Sequence, residues 1–402
     1  MTIYAACDNI YLMGLVRRID MRLLRTTTLL TLLLCLAIGC QLAQQEKYKQ
    51  QLARIDQVIE EEIAKGNFPG AVVLVGKQDD ILYWEAFGHE VIEPDEETIS
   101  KDTVFDLASL TKPIATATSI MILRDRKAIE LDDYVAAYLP AFACKGKEEV
   151  RLKHLLNHTS GLPAYMNAGK LKEQFGSPCP EKVIEKICEL KAVSKPGEES
   201  RYSCLGYIIL AKIVESVSGK SLGDFSKENI FARLGMKHTA FNPPDSWAKD
   251  IAATQIVGGQ PLRGTVHDPL ARLMAGISGN AGLFSNAYDL SIFCRMLLNG
   301  GTWNGRRILS PEAVTLLTTE QTHGRAYGFD VNSSHSSVKG SYASEKAFCH
   351  TGYTGTSIVC EPAGKAFVII LTNRNHPNDE GTAKPVRSKV ADIVFSSLQM
   401  TP

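Results

Sequence analysis

Apolar residues along the chain follow two patterns, recurring every three to four positions in some stretches and running together in others, which separates helical from sheet regions. Leu52, Ile55, Val58, Ile59 and Ile63 recur at helical spacing before Gly66 and Pro69, so the spacing predicts one amphipathic helix from about Gln44 to Lys65. Ala71 to Gly76 and Ile81 to Phe87 are short β-branched or aromatic runs. The polar Lys77-Gln78-Asp79-Asp80 between them reads as the turn of a hairpin. From about Thr116 to Gly300 helical periodicity dominates, most clearly in Leu205 to Val217 and Asp289 to Leu298. Sheet character returns in Ala347 to Tyr353, Thr356 to Glu361 and Ala366 to Leu371, each bounded by Gly, Pro or Asn. A helix from Pro385 to Leu398 closes the chain. Strands near both ends with helices between them imply an α/β (α+β) fold. One mainly antiparallel sheet is assembled from the two termini, with terminal helices on one face and an inserted helical subdomain, about 116–300, on the other. A site belongs in the cleft between them.

The N-terminus departs from globular character. Arg17, Arg18, Arg22 and Arg25 precede an apolar run from Leu29 to Ile38, the layout of a secretory signal. That run is about half the roughly 20 residues a membrane-spanning helix needs. It ends in Ala37-Ile38-Gly39-Cys40, which resembles the lipobox of bacterial lipoproteins, where cleavage before the cysteine accompanies its lipidation. The resemblance makes residues 1–40 a lipoprotein signal and Cys40 the lipid attachment point. Gln41 follows, rather than the Asp that often marks inner-membrane retention in that group, so the expected location is periplasmic, anchored to the outer membrane. Met21 opens a compact signal of its own, so residues 1–20 also read as an overextended start.

The remaining composition, 45% hydrophobic and 22% charged over 402 residues, suits a packed enzyme, and there is no internal repeat or low-complexity tract. Lys plus Arg equal Asp plus Glu at 44 each, so no overall field favours nucleic acid, which is not an expected partner. The ten cysteines are irregularly spaced without a CxxC pair. Processing at Cys40 would remove Cys7 and Cys35 and leave an odd seven besides the lipidated residue. Cys349 and Cys360 are a candidate disulfide across the predicted hairpin, against a default of buried, unpaired thiols.

Ser109-Leu110-Thr111-Lys112 places a hydroxyl and an amine three residues apart, on one face of a helix. Pro113 belongs in a first helical turn, so Ser109 should sit at a helix N-terminus, where backbone N–H groups favour the negative charge of a serine attacking a carbonyl. Alone, the same tetrapeptide reads first as a cap beside a surface lysine. His154 and His158 lie four apart, but no third ligand has suggestive spacing, and Leu155 occupies the place of a metalloprotease glutamate. No metal and no cofactor are expected. His158 is read as support for the Thr159-Ser160-Gly161 turn, and His267 and Asp268 as lining or bracing the site.

The ordered stretches FDLASLTK (Phe105 to Lys112), LLNHTSGLP (Leu155 to Pro163), Pro196 to Gly206 around Tyr202, Val266-His267-Asp268, Gly279 to Ser285 and His350-Thr351-Gly352 resemble the serine β-lactamase and penicillin-binding protein superfamily. The likeness is strongest to class C β-lactamases, related esterases and a low-molecular-mass, envelope-bound group of D-alanyl-D-alanine carboxypeptidases. The resemblance implies a serine β-lactamase/transpeptidase-like catalytic domain over residues 41–402. Within it Ser109 is the nucleophile, and Lys112 and Tyr202 share general acid and base work. The backbone N–H groups of Ser109 and Tyr353 form an oxyanion hole, and Cys204, His350, Thr351 and Gly352 bind substrate. Two positions depart from the family: Cys204 replaces an expected Asn or Asp, and His350 replaces the lysine of Lys-Thr-Gly. His350 would be charged only below about pH 6.5; a buried structural histidine is the alternative. The implied substrates are a peptidoglycan peptide, an ester or a β-lactam. The leading activity is D-alanyl-D-alanine carboxypeptidase, with carboxylesterase or class C-like β-lactamase as alternatives. A peptidoglycan-binding lipoprotein without turnover is an alternative of another class.

Overall fold

The computed structural model describes residues 46–398, together with Leu36, Gly39 and Ala43. Cys40 and the arginines before it lie outside the described residues. The chain divides into an N-terminal unit, Met1–Gln51, in which residues 46–51 are helical, and a unit Leu52–Pro402 that carries the sheet and the core. No helix among the described residues is long and apolar enough to cross a membrane.

The predicted first helix continues as α1, Arg54–Ala64, which buries Ile55 and Ile59. Strands β1, Gly70–Lys77, and β2, Asp80–Val91, follow as the expected hairpin, with the short β3, Glu97–Thr98, beside β2. Next come β4, Phe105–Asp106, β5, Ala240–Phe241, and β6, Leu283–Ser285, which form a small separate sheet in the order β4-β6-β5. The last strands are β7, Phe348–Thr351, β8, Ser357–Glu361, and β9, Ala366–Thr372. The main sheet runs β7-β8-β9-β1-β2-β3, so β1 from one end of the chain pairs antiparallel with β9 from the other, Ala71 opposite Thr372 through Lys77 opposite Ala366.

Every residue of β9 is buried, as are Gly70 to Gly76 in β1, because both faces of these strands are covered. Five further helices carry the argument: α2, Thr118–Asp125; α3, Leu152–Leu156; α4, Cys204–Ser218; α5, Pro269–Leu273; and α6, Ala287–Leu298. The terminal helix is α7, Lys384–Ser397. Helix α6 packs on β1 and β9, while α1 and α7 pack against each other and the sheet. Burying each Val, Leu or Ile of the central strands contributes roughly 1.5–3 kcal/mol. The sheet is thereby a rigid wall for β7 at its edge. Contact there is close: a Cβ at Gly76 would fall 2.1 Å from Cζ of Phe367. Glu62 of α1, 1% exposed, is satisfied by Lys65, Asn67 and Lys389, the last from α7, so the two terminal helices share a buried carboxylate.

The cysteine pairing expected across the β7–β8 hairpin does not form. Cys349 lies opposite Val359 and Cys360 opposite Phe348, so the two thiols point to opposite faces of the sheet. All seven described cysteines are free.

Candidate active site

The nucleophile turn begins where β4 pairs with β6, Phe105 opposite Ser285. Ser109 lies in a 3₁₀ turn, Ala108–Leu110, and a π-helical turn, Lys112–Ala117, follows it before α2. The regular α-helical N-terminus expected for Ser109 is thus replaced by two tighter and wider turns, with Pro113 in the first positions of the second. Ala108 has φ of 45°, a strained value for a residue with a Cβ. Asp106 holds it there by accepting the Ala108 N–H at 2.8 Å through Oδ1 and the His267 N–H at 2.7 Å through Oδ2. Burial pushes the Asp106 carboxyl up to about 6, against the pull of those two amides.

Lys112 is fully buried. Its Nζ donates to Ser109 Oγ at 2.8 Å and to the Asn280 carbonyl at 3.0 Å. Burial pushes the Lys112 ammonium down, but Cys204 and Tyr202 beside it more than offset this, and its pKa is raised. Tyr202 precedes α4, whose N-cap Ser203 accepts from Gly206 N–H. The ring lies between His158, with centroids 4.4 Å apart, and His335, at 5.6 Å. Burial raises the phenol pKa, opposed by Lys112 and by hydrogen bonding with Lys112 and Ser109. Ser109, Lys112 and Tyr202 therefore meet as one hydrogen-bonded cluster that shares its protons.

His158 does not support the Thr159-Ser160-Gly161 turn through its ring. Its Nδ1 accepts the Ser203 N–H at 3.1 Å, and the imidazole stacks beside Tyr202 and Tyr207. His154 is occupied with the α3 N-terminus, where Nδ1 accepts the Arg151 N–H. No group of three or more His, Cys, Asp or Glu among the described residues forms a metal site.

Ser109, Tyr202, His350, Thr351, Gly352 and Tyr353 line one cleft of about 460 Å³. Arg374, Lys384 and Arg387 line it as well, together with Asp330. Cys204 is not part of that lining. Its thiol lies beside Lys112 and the Asn280 amide, and burial raises its pKa. Gly352 has no room for a side chain: a Cβ there would lie 2.0 Å from Thr356 Oγ1 and 2.4 Å from the Leu107 carbonyl. Thr354 and Thr356 donate to the carbonyls of Asp106 and Leu107 at 2.7 and 3.1 Å, which fastens the segment bearing Tyr353 to the nucleophile turn. Among the described residues the Tyr353 N–H donates to no backbone carbonyl.

His350 is 3% exposed, and Nδ1 lies 3.0 Å from the Thr351 carbonyl, an arrangement that makes Nδ1 the protonated nitrogen. Burial pushes its pKa down to about 4, with Lys112 and Arg325 acting the same way and Asp330 opposing them. The expectation of a histidine charged below pH 6.5 is corrected accordingly: at neutral pH it is an uncharged imidazole. His267 stacks on Tyr353 at 5.5 Å, and Asp268 caps α5 and accepts from Tyr165, so this pair braces the cleft wall. Asp330, His335, Arg374, Lys384 and Arg387 were not legible as site residues, because they lie outside the recognisable stretches and reach the cleft only through folding.

The β-lactamase family model matches residues 55–392. A Bacillus subtilis (strain 168) protein named "N-acetylmuramyl-L-alanine amidase" is 33% identical over 361 residues, 81% of this chain and 82% of that protein. An Escherichia coli (strain K12) protein named "Putative D-alanyl-D-alanine carboxypeptidase" is 32% identical over 365 residues, 81% of this chain and 83% of its own length. Among solved structures, that of EstCE1, described as a hydrolase with promiscuous acyltransferase activity, superposes with a TM-score of 0.70 at 23% identity. It covers 86% of this chain and 99% of EstCE1, a likeness of fold. With a third of its residues shared with such relatives over four fifths of its length, the chain belongs to the β-lactamase family, among the β-lactamase/transpeptidase-like serine hydrolases.

Proposed function

We propose that this protein is an envelope-anchored serine hydrolase that cleaves D-alanyl-D-alanine peptides of the cell wall through an acyl-enzyme on Ser109. The observation that carries the reading is the Lys112 ammonium on Ser109 Oγ at 2.8 Å, with Tyr202 against both. In the proposed reaction the Lys112–Tyr202 pair first releases one proton to solvent, Ser109 Oγ attacks the carbonyl as its proton passes to the group so freed, and the pair then returns that proton to the leaving amine. The amides of Ser109 and Tyr353 receive the developing oxyanion. Water then resolves the ester. The names of the curated relatives support a wall-peptide amide as substrate, and Arg374, Lys384 and Arg387 in the cleft suit an anionic one. The convergence of hydroxyl, amine and phenol favours turnover over binding alone.

A neutral His350 favours a second reading, esterase action on an uncharged acyl donor. Parallel turnover of a D-Ala-D-Ala peptide, nitrocefin and a short-chain aryl ester ranks the activities, and a peptide that is not turned over removes the first reading. The pH dependence separates the two readings further. If His350 meets the substrate carboxylate, KM for the peptide falls as pH is lowered toward about 4, where the imidazole gains its proton, while KM for the ester stays flat. His350→Lys is then expected to lower the peptide KM about tenfold at neutral pH without helping the ester. Parallel profiles for the two substrates would exclude the carboxylate role.

The envelope location is part of the same proposal. Cys40→Ser is expected to block processing and to abolish metabolic labelling by a palmitate analogue, because a lipidated N-terminus with more than one acyl chain holds a membrane stably, at about 0.8 kcal/mol per buried CH₂. Unlabelled wild-type protein would replace the lipoprotein assignment with an uncleaved signal anchor.

A further inference from the structure

Arg325 is 5% exposed and does not line the cleft, yet its guanidinium meets three parts of the cleft surroundings. Nη1 donates to Asp330 Oδ1 at 2.5 Å, Nε to Ser200 Oγ at 3.1 Å, and Nη2 to His335 Nδ1 at 3.0 Å. Its central carbon stands 5.6 Å from the Tyr202 ring centroid. Each contact leads to the cleft. Ser200 lies in the loop that delivers Tyr202 to α4. Asp330 is paired through both backbone groups with Cys349, the neighbour of His350 on β7. His335 stacks on Tyr202, and because a guanidinium only donates, His335 Nδ1 must be the accepting nitrogen.

We infer that Arg325 is a positioning residue that latches the Tyr202 loop to strand β7 and fixes Tyr202 over Ser109, while Asp330 anchors the latch. The inference rests on the roles proposed above for Ser109 and Tyr202. A planar fork with five N–H groups spans three acceptors at once, which a lysine ammonium on a flexible stem does not do. The latch also fixes the charge around the imidazoles. His350 faces Asp330, Lys112 and Arg325, and His158 faces Arg325, Lys112, His350 and His335. Tyr202 faces Lys112, Cys204 and Ser109. Arg325 acts downward on both His350 and His158, whereas Asp330 acts upward on His350.

The test uses the soluble chain after the signal and reads two quantities. The first is the rate of covalent labelling by a fluorophosphonate, with KM and kcat for an aryl ester. Arg325→Met is expected to slow acylation and kcat roughly 10–100-fold while KM stays within about twofold, the signature of a displaced reacting group. Arg325→Lys keeps the charge without the fork and is expected to lose about tenfold. The second readout is imidazole titration by NMR, which needs no substrate. In Arg325→Met the loss of the guanidinium's downward pull, with Asp330 released from its ion pair, raises His350 above its wild-type value of about 4. Asp330→Asn slows acylation without that rise, and Arg325→Lys keeps His350 low. Should Arg325→Met fail to fold, the other two variants carry the acylation test. Acylation within about twofold of wild type in Arg325→Lys and Asp330→Asn would overturn the inference, as would a change confined to KM. A wild-type protein that takes no probe at Ser109 would instead count against the proposed function, with the titration still reporting on Arg325.

Discussion

Ser109→Ala is expected to abolish covalent labelling by a fluorescent penicillin or a fluorophosphonate and to reduce turnover on the order of 10⁶-fold, the scale on which removing a serine nucleophile acts elsewhere. The side chain lost is one hydroxyl in a turn whose shape does not depend on it. Ala108 is held by Asp106, Leu110 N–H bonds to the Leu107 carbonyl, and Thr111 Oγ1 accepts the Leu283 N–H at 3.1 Å. The fold and the Tm should therefore be unchanged. Intact-mass analysis locates the adduct. An adduct retained by the alanine variant, or found on another residue, would sink the assignment of Ser109.

Lys112→Met should slow acylation about 10³-fold, within the range for loss of a positioned acid or base, with Tm equal to or above that of the wild type. The second half of this expectation follows from burial. Lys112 is a fully buried ammonium whose partners are the Ser109 hydroxyl, the Asn280 carbonyl and the Tyr202 phenol, with no carboxylate hydrogen-bonded to it. Methionine replaces the stem at similar volume and removes the cost of burying the charge. A structural lysine would show the reverse, lower stability with little change in rate. Acylation kinetics and a thermal melt on the same preparation distinguish these outcomes, and an unchanged rate would return Lys112 to a packing role.

The sites that were legible are those whose partners lie close in sequence or recur in a fixed order. Ser109 and Lys112 are three residues apart, and the turn geometry brings their side chains to 2.8 Å although it is 3₁₀ and π in place of α. The strand pattern was read well because β1 is apolar from Ala71 to Val75 and β9 from Ala366 to Leu371, and only strands covered on both faces tolerate such runs. The cysteines at 349 and 360 were misread for a reason of the same kind. Pairing across a hairpin depends on register, and a shift of one residue turns a side chain to the other face.

By itself, the sequence indicated a sheet built from both ends, which follows from periodicity, and a serine, a lysine, a tyrosine and a His-Thr-Gly strand in family order, which follows from the resemblance. Only the tertiary structure decided the electrostatic state of the cleft. The depressed pKa of His350 arises from burial together with Lys112 and Arg325, groups 238 and 25 positions away in the chain. The turning of Cys204 toward Lys112 and Asn280, and the Arg325 fork on Ser200, Asp330 and His335, likewise join residues that no local pattern connects. Spacing along the chain encodes which side chains share a turn or a face. Desolvation and charge depend on distance through space and on what excludes water, and those are set only once the sheet, the helices and the loop before α4 have closed around the cleft.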